Sequence, residues 1–289
     1  MKKLFVIVCL WLIFINGAFP ASTFAQAKEI RDIVTQTIQE FQLDANAISI
    51  AYTDLVTGDE FFLNEHVSMH AASTTKVATA ALYVDLIENG ELDWNSELPY
   101  NDAYYEDGAG DITNEPKRDY YPIEELIYQM LYYSDNTAWN MLIQYYYDNF
   151  GDFQQGLLDL GHIAPIDDDL WLVNYADAEL LNNILLHVAS HEKYRPITRI
   201  MLEAQEGRLL KSHVKQGMAT KYGQYEDIYH DTGIYFNNKN QPQYTIVIMT
   251  HDIYLNESGI ADDFMGILNA RLKEWHDNRT KMITITYRQ

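Results

Sequence analysis

The seven residues Tyr244-Thr245-Ile246-Val247-Ile248-Met249-Thr250 constrain the fold of this chain most. Nearly all are apolar or β-branched, which suits a central strand buried on both faces. Such a strand needs partners on each side and cover above and below. Its partners read from both ends of the chain. Ile48, Ile50 and Tyr52 alternate with small or polar residues as in a strand, and Thr57-Gly58-Asp59 reads as a turn into a second strand around Phe61 to Leu63. His230 to Phe236 is also strand-like.

The cover reads as helix. Ile30, Ile33, Val34, Ile38 and Phe41 recur at helical spacing, and Ile260, Phe264, Ile267, Leu268, Leu272 and Trp275 mark an amphipathic closing helix. Between the strand groups, helical patterns run from Ser73 to Glu88, where Asn89-Gly90 closes the helix, and from Pro122 toward Tyr133. Others cover Ala138 to Tyr147, Phe153 to Leu160, Ala176 to Val188 and Ile197 to Ala204, while Leu92 to Tyr121 reads mostly as loop. The expected fold is α/β (α+β): one antiparallel sheet flanked by the N- and C-terminal helices, with an all-helical lobe inserted. The α/β lobe would hold about residues 28–66 and 213–289, and the helical lobe about 67–212.

Residues 1–27 read as an export signal rather than as part of that fold. Lys2 and Lys3 precede an apolar run from Leu4 to Ile15, and Ala25-Gln26-Ala27 offers a small-residue cleavage site. The run is short for a bilayer span, which needs about 20 apolar residues, so the expectation is a secreted or extracytoplasmic protein with no stable span after cleavage. The one cysteine, Cys9, lies inside the apolar run, which leaves the mature chain without a thiol or disulfide. A formal net charge of -22 repels phosphates and anionic lipid, so nucleic acid is not expected as a partner.

The chemistry-bearing residues start at Ser73-Thr74-Thr75-Lys76. At i and i+3 on a helix the hydroxyl and the amine share a face, and a partly desolvated lysine can serve as base to a serine. Ser-x-x-Lys occurs three times, also as Ser190 with Lys193 and Ser212 with Lys215, but only Ser73 begins a long apolar helix. Ser134-Asp135-Asn136 lies between two helical patterns. There Ser134 can relay a proton to a leaving nitrogen and Asn136 can bind a substrate amide, although all three residue types are also good helix caps.

In order and spacing, these two motifs resemble the Ser-x-x-Lys and Ser-Asp-Asn elements of class A β-lactamases and penicillin-binding proteins. The resemblance spans about Ile48 to Trp275, and Ser134 to Ala138 reads Ser-Asp-Asn-Thr-Ala, as is common in that family. It implies a serine hydrolase that forms an acyl-enzyme at Ser73. The family's Lys-Thr-Gly element is matched by Lys221-Tyr222-Gly223, with tyrosine in place of threonine. The resemblance makes Ser73, Lys76, Ser134 and Lys221 catalytic and assigns substrate contacts to Asn136, Tyr105, Gly223 and Gln224. The backbone N–H groups of Ser73 and Gln224 would form the oxyanion hole. No metal or organic cofactor is implied, and the substrate would be a small β-lactam or a cell-wall peptide.

Class A β-lactamases carry a water-activating glutamate in a Glu-x-x-x-Asn pattern. The corresponding stretch from Leu160 to Tyr175 holds Asp167, Asp168, Asp169 and Asn174, but no glutamate. Three readings stay open: a β-lactamase-like hydrolase, a D,D-peptidase acting on cell-wall stem peptides, and a module that acylates slowly without turnover.

Other signals are weaker. Asp231-Thr232-Gly233 matches the aspartic protease tripeptide in a single copy, where those enzymes need two, and reads as a turn and strand start. His187 and His191, at i and i+4, suit a helix-end charge role better than a metal pair. Of the 22 tyrosines, Tyr105 resembles the aromatic that borders the family's cleft, and the runs at Tyr132-Tyr133 and Tyr145 to Tyr147 read as packing.

Overall fold

A computed structural model describes residues 21–164, 168–172, 174–226, 228–251, 253 and 259–286; at 21–28, 168, 171 and 283–286 it describes the backbone alone. Asp167, and residues 1–20 of the expected export signal, lie outside the described residues, while 21–27 begin the first helix. In chain order the elements are α1 (Ala21–Glu40), β1 (Ile48–Asp54), β2 (Glu60–Leu63), β3 (Met69–His70), α2 (Lys76–Glu88), β4 (Glu97–Pro99), α3 (Asp111–Asn114), β5 (Tyr120–Pro122), α4 (Ile123–Tyr128), α5 (Asn136–Asn149) and α6 (Phe153–Gly161). They continue with β6 (Tyr175–Ala176), α7 (Ala178–Ser190), α8 (Arg195–Glu203), β7 (Met218–Tyr225), β8 (Ile228–Phe236), β9 (Pro242–Thr250) and α9 (Ile260–Thr286).

The apolar run at Tyr244 is the middle strand of a five-stranded antiparallel sheet of order β2-β1-β9-β8-β7. Its side chains alternate between two cores. Tyr244, Ile246 and Ile248 pack with α1 and α9 residues such as Val34, Phe264 and Leu268, while Val247 and Met249 pack toward the helical lobe. In β1, Ile48, Ile50 and Tyr52 join the first core and Ala51 the second, so the small residues between them face protein rather than water. Asn182 of α7 bridges the sheet there, donating to Thr53 Oγ1 at 3.0 Å and accepting from Thr245 Oγ1 at 2.7 Å.

The structure departs from the sequence reading at three places. The helix expected from Ser73 begins at Lys76, because Ala72 takes a left-handed φ of 51° and residues 71–77 close a tight turn through i→i+3 bonds. The stretch read as loop holds α3 and a small sheet in which β4 pairs with β5. Asp231 opens neither a turn nor a strand; it lies buried inside β8 and accepts from Leu210 N at 3.1 Å.

A buried histidine joins the sheet to the segment that precedes Ser73. His230 Nδ1 accepts the Thr250 N–H at 3.1 Å, and His230 Nε2 lies 3.0 Å from the His70 carbonyl oxygen. A carbonyl only accepts and an N–H only donates, so these partners require the neutral ring with its proton on Nε2. Burial accordingly pushes the His230 pKa from 6.5 down to about 4. Below pH 6.5 the unfolded chain takes up a proton that the folded chain refuses, so stability falls as pH falls toward 4. The unfolding free energy of the parent should drop by about 2 kcal/mol more between pH 6.5 and 4.5 than that of His230→Gln, whose amide does not titrate. Urea titrations at the two pH values check this, and equal drops would contradict it.

Candidate active site

The last turn before Ser134 widens from α4 into a π-turn over Gln129–Tyr133, and Ser134 comes next, in the left-handed region at φ 65°. Such widened turns recur at functional sites. Asp135 fixes the start of the next helix. Its carboxylate caps α5 by accepting the Ala138 N–H at 2.9 Å and also accepts from Thr113 N and Thr113 Oγ1. Capping and site building are thus done by one tripeptide, with Asp135 as anchor and the flanking Ser134 and Asn136 left to face a cleft.

Lys76, in the first turn of α2, reaches them from below. Its Nζ lies 2.7 Å from Ser134 O, 3.3 Å from Ser134 Oγ and 2.7 Å from Asn136 Oδ1. Lys221, on β7, approaches from the sheet, with Nζ 3.0 Å from Ser134 Oγ and 2.9 Å from its neighbour's carbonyl, Tyr222 O. Both lysines are fully buried. Burial pushes the Lys76 pKa down to about 7, against a weaker upward pull from Asp135 and Glu106. That shift corresponds to on the order of 5 kcal/mol of lost preference for the charged form. Burial, together with repulsion from Lys76, holds Lys221 well below the ordinary lysine range. Ser134 Oγ accepts from both amines and finds no acceptor of its own among the described residues.

Ser73 shares an open cleft of about 380 Å³ with Ser134, Asn136, Tyr222 and Gln224. Gly223 makes that approach possible. A Cβ there would stand 2.8 Å from Ala71 O and 2.9 Å from Ser73 N, so only glycine lets β7 lie against the segment that bears Ser73. Lys76 spends its three N–H donors on oxygens of Ser134 and Asn136, so no bond joins it to Ser73 among the described residues. A neutral amine would have two N–H groups and a lone pair free to accept from a hydroxyl.

The expected residues do not all stand at the cleft in the same way. Asn136 lines the cleft, but its Oδ1 is held by Lys76 and its Nδ2 donates to Asp107 O at 3.1 Å. Tyr105 is not among the lining residues; it is half exposed beneath the Lys117 ammonium. The sequence takes Tyr133 for packing and leaves Tyr225 and Glu226 unmarked, yet all three line the cleft. Aromatic and acidic residues are so common in this chain that nothing local marks them. The other two Ser-x-x-Lys pairs are committed elsewhere. Ser190 Oγ donates to Leu186 O and Lys193 pairs with Asp85, while Ser212 Oγ donates to Leu209 O and Asp262 O. His191 Nδ1 donates back to His187 O, and His187 contacts the Tyr194 hydroxyl at 2.7 Å. Among the described residues no group of three or more His, Cys, Asp or Glu could hold a metal ion, and no helix is long and apolar enough to cross a membrane.

Leu170 stands four residues before Asn174, where the class A pattern has its glutamate, and is buried, as Asn174 is. Asn174 keeps structural partners: its Oδ1 accepts from Thr75 Oγ1 at 2.7 Å and its carbonyl accepts the Ala71 N–H at 2.8 Å.

A family model described as the beta-lactamase enzyme family matches residues 26–275. No curated protein matches the chain. Solved structures share its fold at low identity. A PBP-A mutant captured as an acyl-enzyme with penicillin G superposes with a TM-score of 0.70 at 18% identity, covering 84% of this chain and 97% of that one. A β-lactamase from Sphaerobacter thermophilus gives 0.67 at 16% identity over 85% and 97% of the chains. A class A β-lactamase from Mycobacterium abscessus gives 0.68 at 15% identity over 85% and 99%.

The loop under Asp135 supplies a test of how tightly the site is built. Gly110 has φ 94°, and a Cβ on it would stand 2.2 Å from Asp135 Oδ2. Gly110→Ala should cost about 2–4 kcal/mol through backbone strain and displacement of the cap. Denaturant unfolding measures it, and a loss below about 0.5 kcal/mol would mean that the loop and cap are not locked together.

Proposed function

Because this chain belongs to the beta-lactamase enzyme family, we propose that it is a serine acyl-transfer hydrolase that forms an acyl-enzyme at Ser73 from a β-lactam-type amide. One observation carries the reading: two fully buried lysines converge on Ser134 Oγ beside the cleft that Ser73 lines. Burial leaves Lys76 about half neutral near pH 7, which is what a general base requires. In the proposed reaction Ser73 Oγ attacks the carbonyl carbon as its proton passes to Lys76 Nζ. The oxyanion is met by the backbone N–H groups of Ser73 and Gln224, where losing one donor typically costs about 3 kcal/mol. Ser134 then gives its unused hydroxyl proton to the departing nitrogen and is resupplied through Lys76 and Lys221. Asn136 and Gly223 frame the substrate. Water releases the acyl group. The catalytic unit is residues 28–289, and residues 1–27 would direct it out of the cytoplasm, where β-lactams and cell-wall peptides are found.

A second observation favours slow release. Leu170 puts an apolar side chain where a water-activating glutamate would stand, so β-lactam adducts should persist. That behaviour fits a module that holds its acyl group without turnover better than a fast β-lactamase.

Incubation with a panel of labelled penicillins, with the products read by intact mass, should show a one-to-one adduct lasting hours and absent in Ser73→Ala. An adduct that survives Ser73→Ala, or none with any member, would sink the proposal. Because the base is the deprotonated amine, acylation should rise about tenfold per pH unit up to about pH 7 and level off above it. A pH-independent rate would remove Lys76 from the role. Leu170→Glu should shorten the adduct lifetime by tenfold or more.

A further inference from the structure

Resting on that acyl-transfer reading, we infer that the cleft selects acyl donors without a carboxylate beside the scissile amide. The preferred leaving segment is uncharged or cationic, as in the interior of a peptide chain, rather than the free acid of a penicillin or a C-terminal residue. A carboxylate entering a cleft loses water and must find an exposed cation or several free donors there. This cleft offers no exposed cation among its described lining residues, and the lysines beside it are already spent. Lys221, the cation of the strand that borders it, is fully buried and turns its ammonium to Ser134 Oγ and Tyr222 O. The Tyr222 ring, where the resemblance puts a small hydroxyl residue, lies 4.5 Å from that ammonium and itself lines the cleft. Lys76 is equally buried and spends its donors on protein oxygens.

The neighbouring strand does not restore a positive charge. The β8 residues paired with Tyr222, Gly223 and Gln224 are Asp231, His230 and Tyr229, and the partners of His230 hold its ring neutral. Among the described lining residues the one charged side chain is the carboxylate of Glu226, exposed at the end of β7. Tyr133, Tyr222 and Tyr225 line it as well, and a tyrosine ring favours apolar and cationic groups. A chain of net charge -22 adds long-range repulsion of anions.

The test uses the full-length protein and three donors with one acyl group: benzylpenicillin, its methyl ester and its diethylaminoethyl ester, which is cationic at neutral pH. Acylation of Ser73 is monitored by intact mass, and each rate is divided by the donor's own rate of alkaline hydrolysis. The methyl ester should react at least tenfold faster than the free acid, and the cationic ester faster again. Glu226→Gln should narrow the gap between the two esters, and Tyr222→Thr should bring acid and methyl ester within about threefold. Should Tyr222→Thr not fold, the acid-to-ester ratio of the parent decides alone. A free acid that reacts as fast as either ester overturns this selectivity and leaves the acyl-transfer reading standing. If none of the three labels Ser73, it is the acyl-transfer reading that falls.

Discussion

The desolvation of two neighbouring ammonium groups is the constraint around which the site is arranged. Lys76 and Lys221 both end within hydrogen-bond reach of Ser134 Oγ, and neither reaches solvent. Two charged amines in one dry space repel, and each loses the hydration that ordinarily holds its proton. The site answers with oxygen rather than with a salt bridge. Ser134 O, Asn136 Oδ1 and Tyr222 O each take an N–H, and Asp135, the buried carboxylate that acts on Lys76, is turned to cap α5. Had Asp135 paired directly with Lys76, the ion pair would favour the protonated amine. The left-handed turn at Ser134 and the widened π-turn before it are the backbone cost of presenting a carbonyl and a hydroxyl to the same lysine.

How far the sequence can be read depends on which interactions are local. The strand Pro242–Thr250 and its partners are legible because burial on both faces leaves an unbroken apolar run, and α1, α5 and α9 because their apolar residues keep a 3.6-residue period. The turn at Ser73 is not legible. Nothing in Ala71-Ala72-Ser73 announces a left-handed alanine; that conformation is imposed by the Ala71 N–H reaching Asn174 O and by β7 closing in at Gly223. The small sheet of β4 and β5 escapes notice because three-residue strands carry no period. Within the site, Ser73, Lys76, Ser134 and Lys221 can be named from motif order, but what Asn136 bonds depends on contacts across about sixty residues of chain. The cleft walls supplied by Tyr133, Tyr225 and Glu226 flank two of those motifs, and nothing in either motif says which flanking side chain turns inward.

The segment that would carry a hydrolytic base keeps its scaffold while lacking the carboxylate. Asn174, left-handed at φ 62°, accepts from Thr75 through its side chain and from Ala71 through its carbonyl, and its amide nitrogen faces His70 Nε2 at 3.3 Å. His70 in turn offers its carbonyl to His230, whose other nitrogen is satisfied by β9. One chain of hydrogen bonds therefore runs from the middle strand of the sheet to the residues on either side of Ser73. Here Leu170 is buried four residues before Asn174, and the frame holds the turn that bears Ser73 against β7. On the proposed acyl-transfer reading the same frame would serve acylation alone: Asn174, His70 and His230 hold the turn that bears Ser73, whereas release would call for a carboxylate where this chain has Leu170.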